Sequence, residues 1–133
     1  VLQWTAQAVR EAFSLDFIHW RSQLQRASNN FTPSGWHFFL QSFQQSGDLD
    51  TLVKLHMVAN ASITGSPVPL YQGVLDGRYV WKIAMPILIT YTNSSGKTIN
   101  QPLKVTLVVV RVPVTDNPNQ IAIDEFAPDV QAG

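Results

Sequence analysis

Between residues 79 and 91 large apolar side chains fall at every second position: Tyr79, Trp81, Ile83, Met85, Ile87, Ile89 and Tyr91. In an extended chain all of them point to one face, so this stretch predicts a long strand with one side built for burial. Asp76-Gly77 precedes it. That pair suits a two-residue turn with positive φ at both positions, so residues 71–75 are expected to fold back on the long strand as a hairpin. Pro86 lies inside the long strand on the opposite face. With no N–H to give, it implies a sheet edge or a bulge, and a bend nearby.

Upstream the period changes. From Leu2 to about Ala27 there is no Gly or Pro, and Leu2, Ala6, Val9, Phe13, Phe17, Trp20 and Leu24 recur at three- and four-residue steps, which predicts one amphipathic helix. Thr32-Pro33 is a helix start, a capping hydroxyl followed by proline at the first helical position. Trp36, Phe39, Leu40 and Phe43 supply the buried stripe of this second helix, and Gly47 suits its end. Asp48 is expected to cap a short third helix running to about Leu55.

Strands are then predicted at residues 56–64, 71–75, 79–91, 103–114 and 120–126, with 129–133 as a tail. The 103–114 run is apolar almost without alternation after Leu107, as in a strand covered on both faces. The sum is an α+β fold: three N-terminal helices in the concavity of a curved antiparallel sheet of four to five strands.

Composition narrows the function. At 133 residues the chain is expected to be one domain with a real core. Net charge is zero and charged residues are 14%, against about 25% in an average protein. Without a basic stripe, direct binding to nucleic acid is not expected. The absence of cysteine removes disulfides, thiolate metal sites and thiol catalysis. No apolar run is long enough to span a bilayer, and the chain opens at Val1 without an initiator Met. A mature chain or an excised domain is expected.

The candidate chemistry is thin. His19, His37 and His56 show no metal-ligand spacing, and Asp16 with His19 reads as a helical surface pair. The one enzymatic reading comes from shape. A curved sheet around helices can enclose a pocket, in which Asp124 or Glu125 would move a proton with Tyr79, Tyr91 or His56 as donor. Against it stands a concavity filled by Phe13, Phe17, Trp20, Trp36, Phe39, Phe43 and Trp81. The other face of the sheet carries Ala84, Pro86, Leu88, Val108 and Val110. Left open, these form an apolar patch of the kind that takes a protein partner; otherwise the 66–70 loop covers them. Arg111 interrupts the apolar run and either pairs with Asp124 or Glu125 or marks the rim of that surface. Leu88, Val108, Val110 and Arg111 are therefore the candidate protein-interaction residues, and no catalytic, cofactor or metal site is expected.

Four stretches, taken in order, resemble the IcmL/DotI/TraM family of inner-membrane components of type IVB secretion and related conjugation systems. They are FSLDFIHWRSQLQRAS (13–28), FTPSGWHFFLQSF (31–43), GSPVPLYQGVLDGRYVWKIAMPILITY (65–91) and VTLVVVRVP (105–113). The resemblance implies a periplasmic domain over residues 1–133, preceded by one transmembrane helix, at the periplasmic face of the bacterial inner membrane. It implies a nuclear-transport-factor-like, cystatin-like fold similar to the VirB-type periplasmic scaffold. It further implies a non-catalytic scaffold that contacts copies of itself and other channel subunits, for DNA transfer or protein export. The alternative is a small-molecule or proton-transfer pocket of the same fold.

Overall fold

The computed structural model describes residues 1–130. Helices α1 (Leu2–Phe13), α2 (Trp20–Ala27), α3 (Pro33–Gln45) and α4 (Asp48–Lys54) pack against one antiparallel sheet. Its strands are β1 (Leu15–Asp16), β2 (Val58–Ile63), β3 (Val68–Leu75), β4 (Arg78–Thr92), β5 (Thr98–Arg111) and β6 (Ile121–Val130). The order is β1-β2-β4-β5-β6, with β3 also paired to β4. The expected α+β architecture of helices on a curled antiparallel sheet is present, with four helices rather than three.

The difference lies at Ser14–His19. The expected continuous helix breaks there, although no Gly or Pro intervenes. Ser14 Oγ donates back to the Arg10 carbonyl at 2.7 Å, and Leu15-Asp16 pairs with Ala59 and Val58 of β2. Asp16 Oδ1 then accepts the N–H groups of Ile18 (2.9 Å) and His19 (2.7 Å), which starts α2. Short polar side chains that bond to nearby backbone compete with helix, and two of them flank Leu15. Those bonds, the His19 N–H first among them, outweigh the opposing effect of burial and hold the Asp16 carboxyl below its ordinary value. The Asp16–His19 pair is thus part of a turn.

β4 is the organising strand. Ile83, Met85, Ile87, Ile89 and Tyr91 are all buried on the helix-facing side, beside Leu103, Val105, Leu107 and Val109 of β5. Asp76 (φ 51°) and Gly77 (φ 84°) make the expected primed turn between β3 and β4. Pro86 is tolerated in this central strand for a specific reason. β3 covers the outer edge of β4 only as far as Ala84, and β2 resumes at Ile87. In an antiparallel ladder a residue's N–H and C=O point the same way. The Pro86 carbonyl accepts from Thr64 N–H at 3.0 Å, so its missing N–H faces the gap between the two strands. Gly65 lies against the Pro86 ring there.

Two strands exceed expectation. β3 reaches back through Pro69, with a register shift between Pro69 and Tyr71, because an edge strand tolerates a missing donor. β6 continues past Phe126, with Pro128 opposite Val105 and Asp129 opposite Lys104. The expected tail is therefore strand at Asp129 and Val130, and its last three residues lie outside the described chain.

The core sits between α1, α3 and the sheet. Phe39 is its hub, in ring contact with Phe13, Phe31, Trp36, Phe43 and Phe126 at centroid distances of 5.2–5.8 Å. The start of α3 fixes this hub against β6. Thr32 Oγ1 accepts from Gly35 N–H at 3.0 Å and donates to Asp124 Oδ1 at 2.7 Å, while Thr32 N–H donates to the Ile123 carbonyl. Substituting Thr32→Val removes both hydroxyl bonds and is expected to cost about 1–2 kcal/mol, read from urea unfolding.

Candidate functional site

The candidate interaction residues do not form one open patch. Val110 is 1% exposed and packs with Val80, Val112 and Ala122, with half-buried Val108 beside them. Val80, Val110 and Ala122 sit opposite one another across three adjacent strands. Cross-strand neighbours on one face cover each other, and this removes Val110 from solvent. Leu88 is half-buried. A charge at Val110 would consequently be a folding defect, where an open patch would have tolerated it. Val110→Asp is expected to lower stability by about 2 kcal/mol, visible as a shifted denaturation midpoint.

Arg111 is exposed, and its expected carboxylate partner is taken. Asp124 accepts from Thr32 and pairs with Arg78 at 3.3 Å, and Glu125 is exposed. Among the described residues Arg111 makes no ion pair. Its guanidinium lies 5.5 Å over the Trp81 ring. Trp81 in turn contacts Tyr79 at 4.7 Å, and Tyr79 Oη accepts from Gln72 Nε2 at 2.9 Å. This chain of contacts runs from Arg111 to β3.

β3 is the surface that pattern reading missed. It pairs only with β4, so among the described residues its outer backbone edge has no partner. Val68, Leu70, Tyr71, Val74 and Leu75 are all exposed, Val74 to 67%. The strand carries no charged residue. Natural edge strands are usually blunted by lysine, proline or a bulge. Pro69 and the register shift protect the first residues, and residues 71–75 carry no such device. The signal was present in the sequence: VPLYQGVL shows no inward–outward alternation, as expected of a strand with little core on either side.

Of the two acids in the alternative pocket reading, Asp124 is held by Thr32 and Arg78 and Glu125 is exposed, while a cleft exists elsewhere. A cavity of about 290 Å³ opens between α3, α4 and the sheet. Phe13, Phe39, Phe43, Leu103 and Phe126 wall it, and Asp48, Ser46 and Gln101 bring polar atoms to it. Asp48 is the first residue of α4 behind Gly47 (φ 78°), one place later than its expected capping position. Burial raises its carboxyl above the ordinary 3.8, against an opposing pull from the Ser46 and Tyr91 hydroxyls. Tyr91 is raised as well, by burial first and then by the Asp48 charge. Its hydroxyl lies within reach of that charge yet closes no well-formed hydrogen bond, and Gln101 Oε1 is buried without a partner too.

A carboxyl raised on folding binds its proton more tightly in the native state. Its contribution therefore becomes less favourable as pH rises from 3.8 through the folded value, and is recovered as pH falls. Asp48→Asn is expected to flatten that part of the stability profile, measured by urea unfolding between about pH 4 and pH 7.

The His56 ring lies 4.8 Å from that of Phe17, tilted by 31°. Among the described residues no group of three metal-binding side chains forms. No helix among them is long and apolar enough to cross a membrane.

The comparisons give the class. Residues 1–129 match the family described as a type-IV b secretion system inner-membrane complex component, DotI/IcmL. The solved periplasmic domain of DotI is 39% identical, with a TM-score of 0.91 over 96% of this chain and 91% of that one. A periplasmic fragment of TraM is 26% identical, with a TM-score of 0.90 over 97% and 94% respectively. An IcmL-like type IV secretion protein from Legionella pneumophila, 21% identical, shares the fold with a TM-score of 0.86 over 99% of this chain and 91% of its own. No significant match appears among curated proteins. This chain belongs to the DotI/IcmL family of type IVB secretion inner-membrane complex components.

Proposed function

We propose that residues 1–133 form a non-catalytic scaffold domain at the periplasmic face of the bacterial inner membrane, carried there by an anchor outside this chain. It acts by self-association and by contacts with other subunits of a type IV secretion or conjugal DNA transfer complex. Family membership and the likeness to the DotI and TraM periplasmic domains support the setting. The observation that carries the mode of action is the uncharged, apolar and unpartnered edge of β3. An added strand there would gain backbone hydrogen bonds, with side-chain pockets giving specificity. Arg111, joined to β3 through Trp81, Tyr79 and Gln72, forms its charged flank; half-buried Val108 beside Val110 offers a second, smaller contact, and half-buried Leu88 lies further along β4, opposite Pro102. Such contacts are individually weak; anchoring in a membrane raises the effective concentration enough to make them count.

The location is tested by protease treatment of the full-length, C-terminally tagged protein in intact cells and in spheroplasts. Cleavage only after the outer membrane is opened, with the protein pelleting with membranes, is the expected result. A soluble protein protected until cell lysis would contradict it.

A further inference from the structure

The cleft beside α4 has the features of a ligand site that a scaffold does not need. Its walls are aromatic and aliphatic, from Phe13, Phe39, Phe43, Leu103 and Phe126. At one side it brings together the Asp48 carboxylate and Gln101, whose buried Oε1 accepts no hydrogen bond within the described chain. The hydroxyl of Tyr91, a residue 2% exposed, is buried beside Asp48 and is also unpartnered. Buried polar atoms almost always have partners, so two orphans next to one open cleft are informative.

Asp48 carries the one charge on the lining and has no cationic partner among the described residues, whereas Ser42, Gln45, Ser46 and Gln101 can donate as well as accept. The Tyr91 oxygen can accept as well as donate. A donor with positive charge satisfies this set, and an anion would be repelled by it. The walls ask for an apolar body on the same molecule. A volume of about 290 Å³ lies at the small end for ligand sites, which admits a body about the size of a single ring with a short tether.

We propose that this cleft binds a small organic cation, an ammonium group carried on an aromatic or aliphatic body, with the ammonium at Asp48 and Gln101 and the body among the phenylalanines. The site is separate from the β3 edge, and the proposal stands or falls apart from the scaffold reading.

The test titrates the ¹⁵N-labelled 133-residue chain with three probes of nearly equal shape: 2-phenylethylamine, neutral 2-phenylethanol and anionic 3-phenylpropionate. Saturable shifts of the Phe43, Asp48, Gln101 and Phe126 amides by the amine are expected, with at least about tenfold weaker binding of the other two. Asp48→Asn should remove that preference, and Gln101→Leu should weaken the amine independently of Asp48. No saturable shift at these amides, or equal binding of all three probes, overturns the proposal. So does an amine preference that survives Asp48→Asn.

Discussion

Replacing Gly35 by alanine is expected to destabilise this domain by about 3 kcal/mol, lowering its melting temperature by roughly 10 °C. Gly35 lies in the first turn of α3, where the helix meets β6 at backbone contact. A Cβ there would collide with the Ile123 carbonyl oxygen, and would also come within 2.8 Å of the Ile123 carbonyl carbon and 3.0 Å of the Asp124 Cα. No side chain can swing aside to make room, because every one of these atoms is backbone. Either α3 lifts away from the sheet or β6 bends. Both disturb the same group of contacts: the Phe31–Ile123 bridge, the Thr32–Asp124 hydrogen bond and the Phe39–Phe126 ring pair at 5.2 Å. The loss should exceed that of Thr32→Val, which removes bonds without forcing atoms together. A Gly35→Ala protein with wild-type stability would mean that α3 does not approach β6 this closely.

Charging the β3 edge is expected to have the opposite character, with function lost and stability kept. Leu70→Lys combined with Val74→Lys places two cations on exposed positions of a strand whose outer edge has no partner among the described residues. Exposed substitutions usually move stability by no more than about 0.5 kcal/mol each, so the melting temperature should hardly change. Lysine on an edge strand is also how natural sheets prevent strand addition. Secretion or conjugal transfer by cells carrying only this variant should fall by at least about tenfold, with normal protein levels in the membrane. The contrast with Val110→Asp is diagnostic. That change should reduce function only in proportion to the folded protein lost, because Val110 is buried in the small valine cluster.

Much of the fold could be read from residue pattern. The period-two run on β4, the Asp76-Gly77 turn and the Thr32-Pro33 helix start each express a local requirement of the backbone, and each is present. The break at Ser14–His19 was harder to see, because apolar spacing continues across it while Ser14 and Asp16 divert their backbone bonds. Pro86 suggested an edge, and the edge is real but local, a gap of two residues between β3 and β2 that only strand pairing reveals. The site was less legible. Leu88, Val108 and Val110 share a face by parity, yet parity cannot tell whether cross-strand neighbours cover that face. Arg111 was expected to need a carboxylate; at the end of β5 it is exposed and rests on Trp81 instead. Asp48 has the look of a helix cap in the sequence, whereas its partial burial near Tyr91 depends on how α4 meets the sheet. The β3 edge could have been suspected from its lack of alternation.

The central claim is that this domain works through contacts at the β3 edge within a membrane-anchored complex. The most direct measurement places a photo-crosslinking amino acid at position 74 of the full-length protein in intact, transfer-competent cells. The account predicts adducts with a second copy of this protein or with other subunits of the complex, which disappear when Leu70→Lys is added. No adduct from position 74 in cells that transfer normally would contradict it.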